Sequence, residues 1–122
     1  MRALVMEYED DILDLLEYNL TKAGFEVLVC DQSEDLVALA LTYDPHLILI
    51  GNWRGIEGQL GVYEDLKAQY RPSRKDTLMV FLSTQSEEWP QASLGRSMEL
   101  ILPAPIKPKE LIRLIQRSLV LQ

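Results

Sequence analysis

Four carboxylates, Glu7, Glu9, Asp10 and Asp11, follow closely on the apolar run Ala3-Leu4-Val5-Met6. Clustered carboxylate oxygens are the ligands a hard cation such as Mg²⁺ requires. The same residues at the start of a helix also favour its positive end, and that duller role, which needs no ligand, is the preferred reading. A hydroxyl pair, Ser83-Thr84, follows another apolar run. It can meet an anion there, or close the next turn, which is the more ordinary use of a hydroxyl at a strand end. Gly51-Asn52-Trp53-Arg54-Gly55 sets a large aromatic and a cation just beyond a third apolar run. Trp and Arg are over-represented at binding hot spots, so Trp53 and Arg54 either anchor a partner or fold over a pocket at that strand end. Trp89-Pro90 poses the same alternatives. The one histidine, His46, precedes the apolar run rather than following it, and reads as structural or surface.

The elements that would carry these residues are short apolar runs alternating with helical patterns. Ala3–Met6 is the first strand. A helix follows from Asp10 or Asp11, with Ile12, Leu15, Leu16, Leu20 and Ala23 on one face, and Gly24 stops it. Residues 26–29 form a second strand, and Ser33 caps a helix running to about Tyr43. Leu47-Ile48-Leu49-Ile50 is an unbroken apolar run bounded by polar residues or Gly, which belongs in a parallel sheet covered on both faces. A third helix covers Leu60 to Tyr70, a fourth strand Leu78 to Leu82, and a fifth Leu100 to Leu102. Between the last two, Pro90 and Gly95 make the fourth helix short or irregular. A final helix starts near Pro108. Five strand–helix repeats with right-handed crossovers give an open, doubly wound α/β sheet, whose site lies at the carboxyl ends of its strands.

The chain of 122 residues fits one domain over residues 1–122, with 48% apolar and 25% charged residues, as in ordinary globular proteins. A net charge of −7 repels a phosphate backbone and argues against direct nucleic-acid binding. No run spans a bilayer and no signal segment opens the chain, so a soluble cytoplasmic protein without membrane contact is expected. The lone Cys30 follows an apolar run as a small buried thiol, in keeping with a reducing compartment.

The segments LVMEYEDDILDLLEYNLTKAGFEV, DPHLILIGNW, LMVFLST and LILPAPIKPKELI are similar, in order and spacing, to the receiver domains of bacterial response regulators. The likeness is greatest to the PhoB/OmpR-like winged-helix branch. It implies a flavodoxin-like (βα)5 fold with strand order 2-1-3-4-5. It also implies a phosphorylation site built from an acidic pair for Mg²⁺, an acceptor Asp, a hydroxyl, and a Lys before a Pro. Those positions fall here on Glu7 and Tyr8, Gly51, Ser83 and Ala104, and the aromatic switch position falls on Ile101. Glycine can form no acyl phosphate. Glu7 beside Tyr8, even assisted by Glu9, is a weak cation site, and Ala104 offers no cation to a phosphoryl oxygen. The resemblance therefore implies a pseudo-receiver that needs no phosphorylation, has no cofactor and is not an enzyme. Trp53 would then fill the vacated pocket, since an empty polar cavity needs water or side chains.

In the last helix Leu111, Ile115 and Leu119 account for the core face, while Ile112, Leu114, Val120 and Leu121 widen the apolar arc. That surplus points to a protein partner or a homodimer through the fourth-helix, fifth-strand and fifth-helix face, with Ile112 and Leu114 at the contact. Leu114 stands where the winged-helix branch often has an Arg. A DNA-binding domain of a transcription regulator would lie beyond residue 122. The alternative function is ligand sensing, with a small molecule or anion bound in the vacated pocket by Trp53, Arg54 and Ser83.

Overall fold

The computed structural model describes residues 1–31, 34–51, 55–74, 76–89 and 98–120, the last without its side chain. Five strands, β1 (Arg2–Met6), β2 (Glu26–Val29), β3 (Leu47–Ile50), β4 (Leu78–Ser83) and β5 (Glu99–Pro103), form one parallel sheet in the order β2-β1-β3-β4-β5. The doubly wound parallel sheet is the one the sequence pattern predicts, and the flavodoxin-like strand order is the one the receiver resemblance implies. Successive strand residues point to opposite faces, and the core divides accordingly. Leu4, Met6, Ile48, Ile50, Met79 and Phe81 pack beneath α2 (Leu36–Tyr43) and α3 (Gly55–Asp65). Ala3, Val5, Leu47, Leu49, Val80 and Leu82 pack beneath α1 (Asp10–Lys22) and α4 (Pro108–Val120). Apolar residues at every position of β3 are explained by this double covering.

Several local expectations are corrected. In α1 the residues meeting the sheet are Leu16 and Leu20, with Leu13 partly buried, whereas Ile12 and Leu15 are exposed. The run Ile-Leu-Asp-Leu-Leu is apolar on too many sides for spacing alone to fix which face turns inward. The cap of α2 is Asp35 rather than Ser33: its Oδ1 accepts from the Val37 and Ala38 amides at 3.0 and 3.2 Å. Ser33 itself lies outside the described residues. The third helix begins at Gly55 and, past Asp65, widens into a π turn over Leu66–Tyr70. There the Arg71 amide donates to the Leu66 carbonyl at 2.8 Å. Of the predicted short fourth helix, the described residues hold a 3₁₀ turn, Ser86–Glu88. The final helix, expected as the fifth, is thus α4.

The amino-terminal end of the sheet holds a buried polar network. Arg71 and Glu99 form an ion pair at 3.7 Å, and Tyr63 donates to the other Glu99 oxygen at 2.9 Å. Arg71 also donates to the Thr77 carbonyl at 2.9 Å, and Thr77 Oγ1 donates to the Pro45 carbonyl at 3.0 Å. His46 lies at this end, exposed, its Nδ1 accepting from the Arg2 amide.

Candidate functional site

At the opposite end the register aligns the last residues of the strands. Met6 pairs with Ile50, Ile50 with Phe81, and Phe81 with Ile101. The next residues on β1 and β3 are Glu7 and Gly51, and β4 itself ends on Ser83, so these three share one edge. The Ala104 amide donates to the Ser83 carbonyl at 2.9 Å and ties β5 to that edge.

Glu7 turns inward and is only 7% exposed, whereas Tyr8 turns out and is 59% exposed. One Glu7 oxygen accepts from the Glu9 amide at 3.0 Å. The other lies over Gly51: a Cβ on that glycine would sit 2.7 Å from Glu7 Cδ, closer than real Cβ contacts come. Gly51 is not in the left-handed region, so what glycine supplies here is room. The Glu7 carboxylate takes up the space where a side chain at position 51 would start.

Gln59 closes the same edge from α3. Its amide nitrogen donates to the Gly51 carbonyl at 2.8 Å and to the Leu82 carbonyl at 2.6 Å, with the side chain fully buried. Gln59 is absent from the sequence reading, since the predicted third helix started one residue after it. A glutamine just inside a helix facing two strand ends is the only signal that would have found it.

Ser83 is buried, and its hydroxyl accepts from the Gln85 amide at 3.0 Å, closing the turn after β4. Ala104 is half-buried at the start of a cis Ala104–Pro105 peptide. Ile101 packs against the core cluster that contains Trp89. Trp89 is core: 2% exposed, its ring lies 4.9 Å from Phe81 and 5.8 Å from Tyr63. Trp53 and Arg54 fall outside the described residues.

The groups present do not fit Mg²⁺. Glu7 is a single inward carboxylate already accepting from a backbone amide, Glu9 is exposed, and Tyr8 stands where a second carboxylate is needed. Among the described residues no group of three or more His, Cys, Asp or Glu is placed to hold a metal ion. Cys30, at the end of β2, has its thiol pushed up to about 11 by burial and by the nearby Glu34, Asp31 and Asp35 carboxylates.

Ile112 and Leu114 of α4 are both half-buried, and Ile112 packs against the core. The large apolar side chains that are exposed among the described residues lie mainly along α1 and just before it: Tyr8, Ile12, Leu15 and Tyr18. No described helix is long and apolar enough to cross a membrane.

The sequence matches no protein-family model, and no curated protein matches it. Solved structures do match. A response regulator protein from Burkholderia multivorans aligns with a TM-score of 0.67 at 24% identity, covering 95% of this chain and 92% of that one. An orphan response regulator of H. pylori aligns with a TM-score of 0.76 at 18% identity, over 98% and 96% of the two chains. The receiver domain of a sensor histidine kinase from Pseudomonas aeruginosa, solved with magnesium in its active-site cleft, aligns with a TM-score of 0.76 at 19% identity, over 97% and 96%. The chain therefore has the fold of response-regulator receiver domains.

Proposed function

We propose that this chain is a pseudo-receiver: a signal-transduction module that works without phosphorylation and acts through its surfaces, as a protein-interaction or dimerisation domain in transcriptional regulation. The observation that carries the reading is the Glu7 carboxylate lying over Gly51. The position that would carry a phosphoryl group has no side chain, and a built-in carboxylate takes the space beside it. Tyr8 and Ala104 support the same conclusion, because neither can neutralise an incoming phosphoryl group. The module carries out no reaction of its own. One surface available to it is the face of β5 and α4 around Ile112 and Leu114.

Ligand sensing has less support. The space beside Gly51 is filled by Glu7, and Ser83 is already accepting a hydrogen bond. The test is incubation with acetyl phosphate and Mg²⁺ followed by intact mass measurement. No added phosphoryl mass is expected, and acid-labile phosphate on the wild-type protein would overturn the proposal.

A further inference from the structure

The outward row of α1 has an unusual order. At the helical spacing of three to four, Asp11, Leu15, Tyr18 and Lys22 form one line on the side away from Leu16 and Leu20, and all four are exposed. The line reads acid, apolar, apolar, base. Leu15 and Tyr18 are 48% and 63% exposed, so two large apolar groups stand in water at the middle of a helix. Lys22 Nζ lies 6.0 Å from the Tyr18 ring centroid, so the base and the second apolar group of the row are neighbours.

The charge division extends to the neighbouring surface. Beside the upper half of α1, a groove of about 240 Å³ is lined by Ile12 and Leu15, Pro105 and Ile106, with Glu7 and Glu9 among its residues. Beside the lower half, a groove of about 260 Å³ is lined by Asn19 and Lys22 with Lys109 and Arg113 of α4; Arg113 is paired with Glu110, so Lys22 and Lys109 carry the positive charge there. One face is thus acidic and apolar at one end and cationic at the other. A surface of this kind is complementary to itself when turned by half a revolution, the requirement for a two-fold interface between identical chains.

We infer that α1 is a self-association face, on which a second copy of this chain packs antiparallel. The positions add up in pairs: Asp11 meets the partner's Lys22 at each end of the row, and Leu15 meets the partner's Tyr18 on either side of the axis. The inference rests on the reading above that the module acts through its surfaces, and it names the surface. A helix of 13 residues is about 20 Å long and buries less than the roughly 800 Å² per partner of a standard interface. The dimer is accordingly weak and salt-sensitive, because its end contacts are exposed ion pairs.

Sedimentation equilibrium over a concentration series tests this, with circular dichroism on each variant. Wild type is expected to dimerise at low salt and to dissociate as salt rises. Leu15→Asp should abolish association. Asp11→Lys and Lys22→Glu should each weaken it roughly tenfold by setting like charges opposite one another, and the combined D11K/K22E reversal should restore it. A chain that stays monomeric at every concentration overturns the inference. So does a dimer that survives L15D but is lost on Leu114→Asp, an outcome that leaves the pseudo-receiver reading standing. Phosphoryl uptake, in turn, bears on that reading and not on the α1 face.

Discussion

The two ends of this sheet handle polar groups in opposite ways. At the amino-terminal end, Arg71, Glu99 and Tyr63 are buried and bind one another, and Arg71 also donates to the Thr77 carbonyl, so that a cation, a carboxylate, a phenol and a backbone carbonyl join α3, the π turn and strands β4 and β5. At the carboxyl end, where doubly wound folds keep their sites, Glu7, Gln59 and Ser83 turn inward among the described residues, and each has a hydrogen bond to backbone. The network end holds opposite charges together. The site end sets the Glu7 carboxylate over a glycine, with an alanine at position 104. One end pairs a buried cation with a buried carboxylate, and at the other a carboxylate occupies the space where a side chain at position 51 would start.

Breaking the network end should have the largest effect. Glu99→Ala removes the carboxylate from beside the buried Arg71 guanidinium, and the expected loss is about 3–5 kcal/mol in urea unfolding. Replacing both partners with apolar residues, as in Arg71→Met with Glu99→Leu, should cost clearly less than the single change, since neither buried charge remains. If E99A and the double variant were equally unstable, the network would be acting through packing and not charge, and the contrast between the two ends would weaken.

At the site end, Gly51→Ala should destabilise by about 1–3 kcal/mol, because its Cβ runs into the Glu7 carboxylate and something must shift. Glu7→Ala in the same chain should recover part of that loss, a coupling that a double-mutant cycle measures directly. Gly51→Asp, which restores a carboxylate at that position, should still take up no phosphoryl group. Additive effects of G51A and E7A would show that the two positions do not share the space.

The fold was largely legible in the sequence, and the site only in part. Unbroken Leu47–Ile50 demanded a doubly covered strand, and Pro108 marked the start of the last helix; both stand as read. Both Ser33 and Asp35 are good caps, and only the backbone geometry chooses between them. The inward face of α1 was ambiguous because Ile12, Leu13, Leu15 and Leu16 are all apolar, so the exposed Ile12 and Leu15 were read as core. Glu7 and Gly51 were identified as companions, but the carboxylate's position over the glycine depends on β1 and β3 being neighbours with Met6 level with Ile50. Gln59, Arg71 and Glu99 went unread for one reason. Each has a partner distant in sequence, and no local pattern marks a polar residue that will be bound from 23 or 36 residues away, as Gln59 is by Leu82 and Glu99 by Tyr63.

The smallest effect expected comes from titrating the site end itself, and Cys30 is the internal probe. Its thiol is neutral when protonated, and burial together with the Glu34, Asp31 and Asp35 carboxylates raises it from the ordinary 9.0 to about 11. The folded chain thus holds this proton more tightly than the unfolded chain does. The resulting stability is full below pH 9 and is lost as the pH climbs from 9 towards 11, reaching about 1 kcal/mol at pH 10. Tyr70, whose phenol is also raised by burial, slopes the same way, so wild type must be compared with Cys30→Ala. The expected result is a steeper alkaline loss of Tm in wild type than in C30A, with slow thiol alkylation at neutral pH. Equal slopes would mean that burial and the Glu34, Asp31 and Asp35 carboxylates do not hold the Cys30 proton in the folded chain.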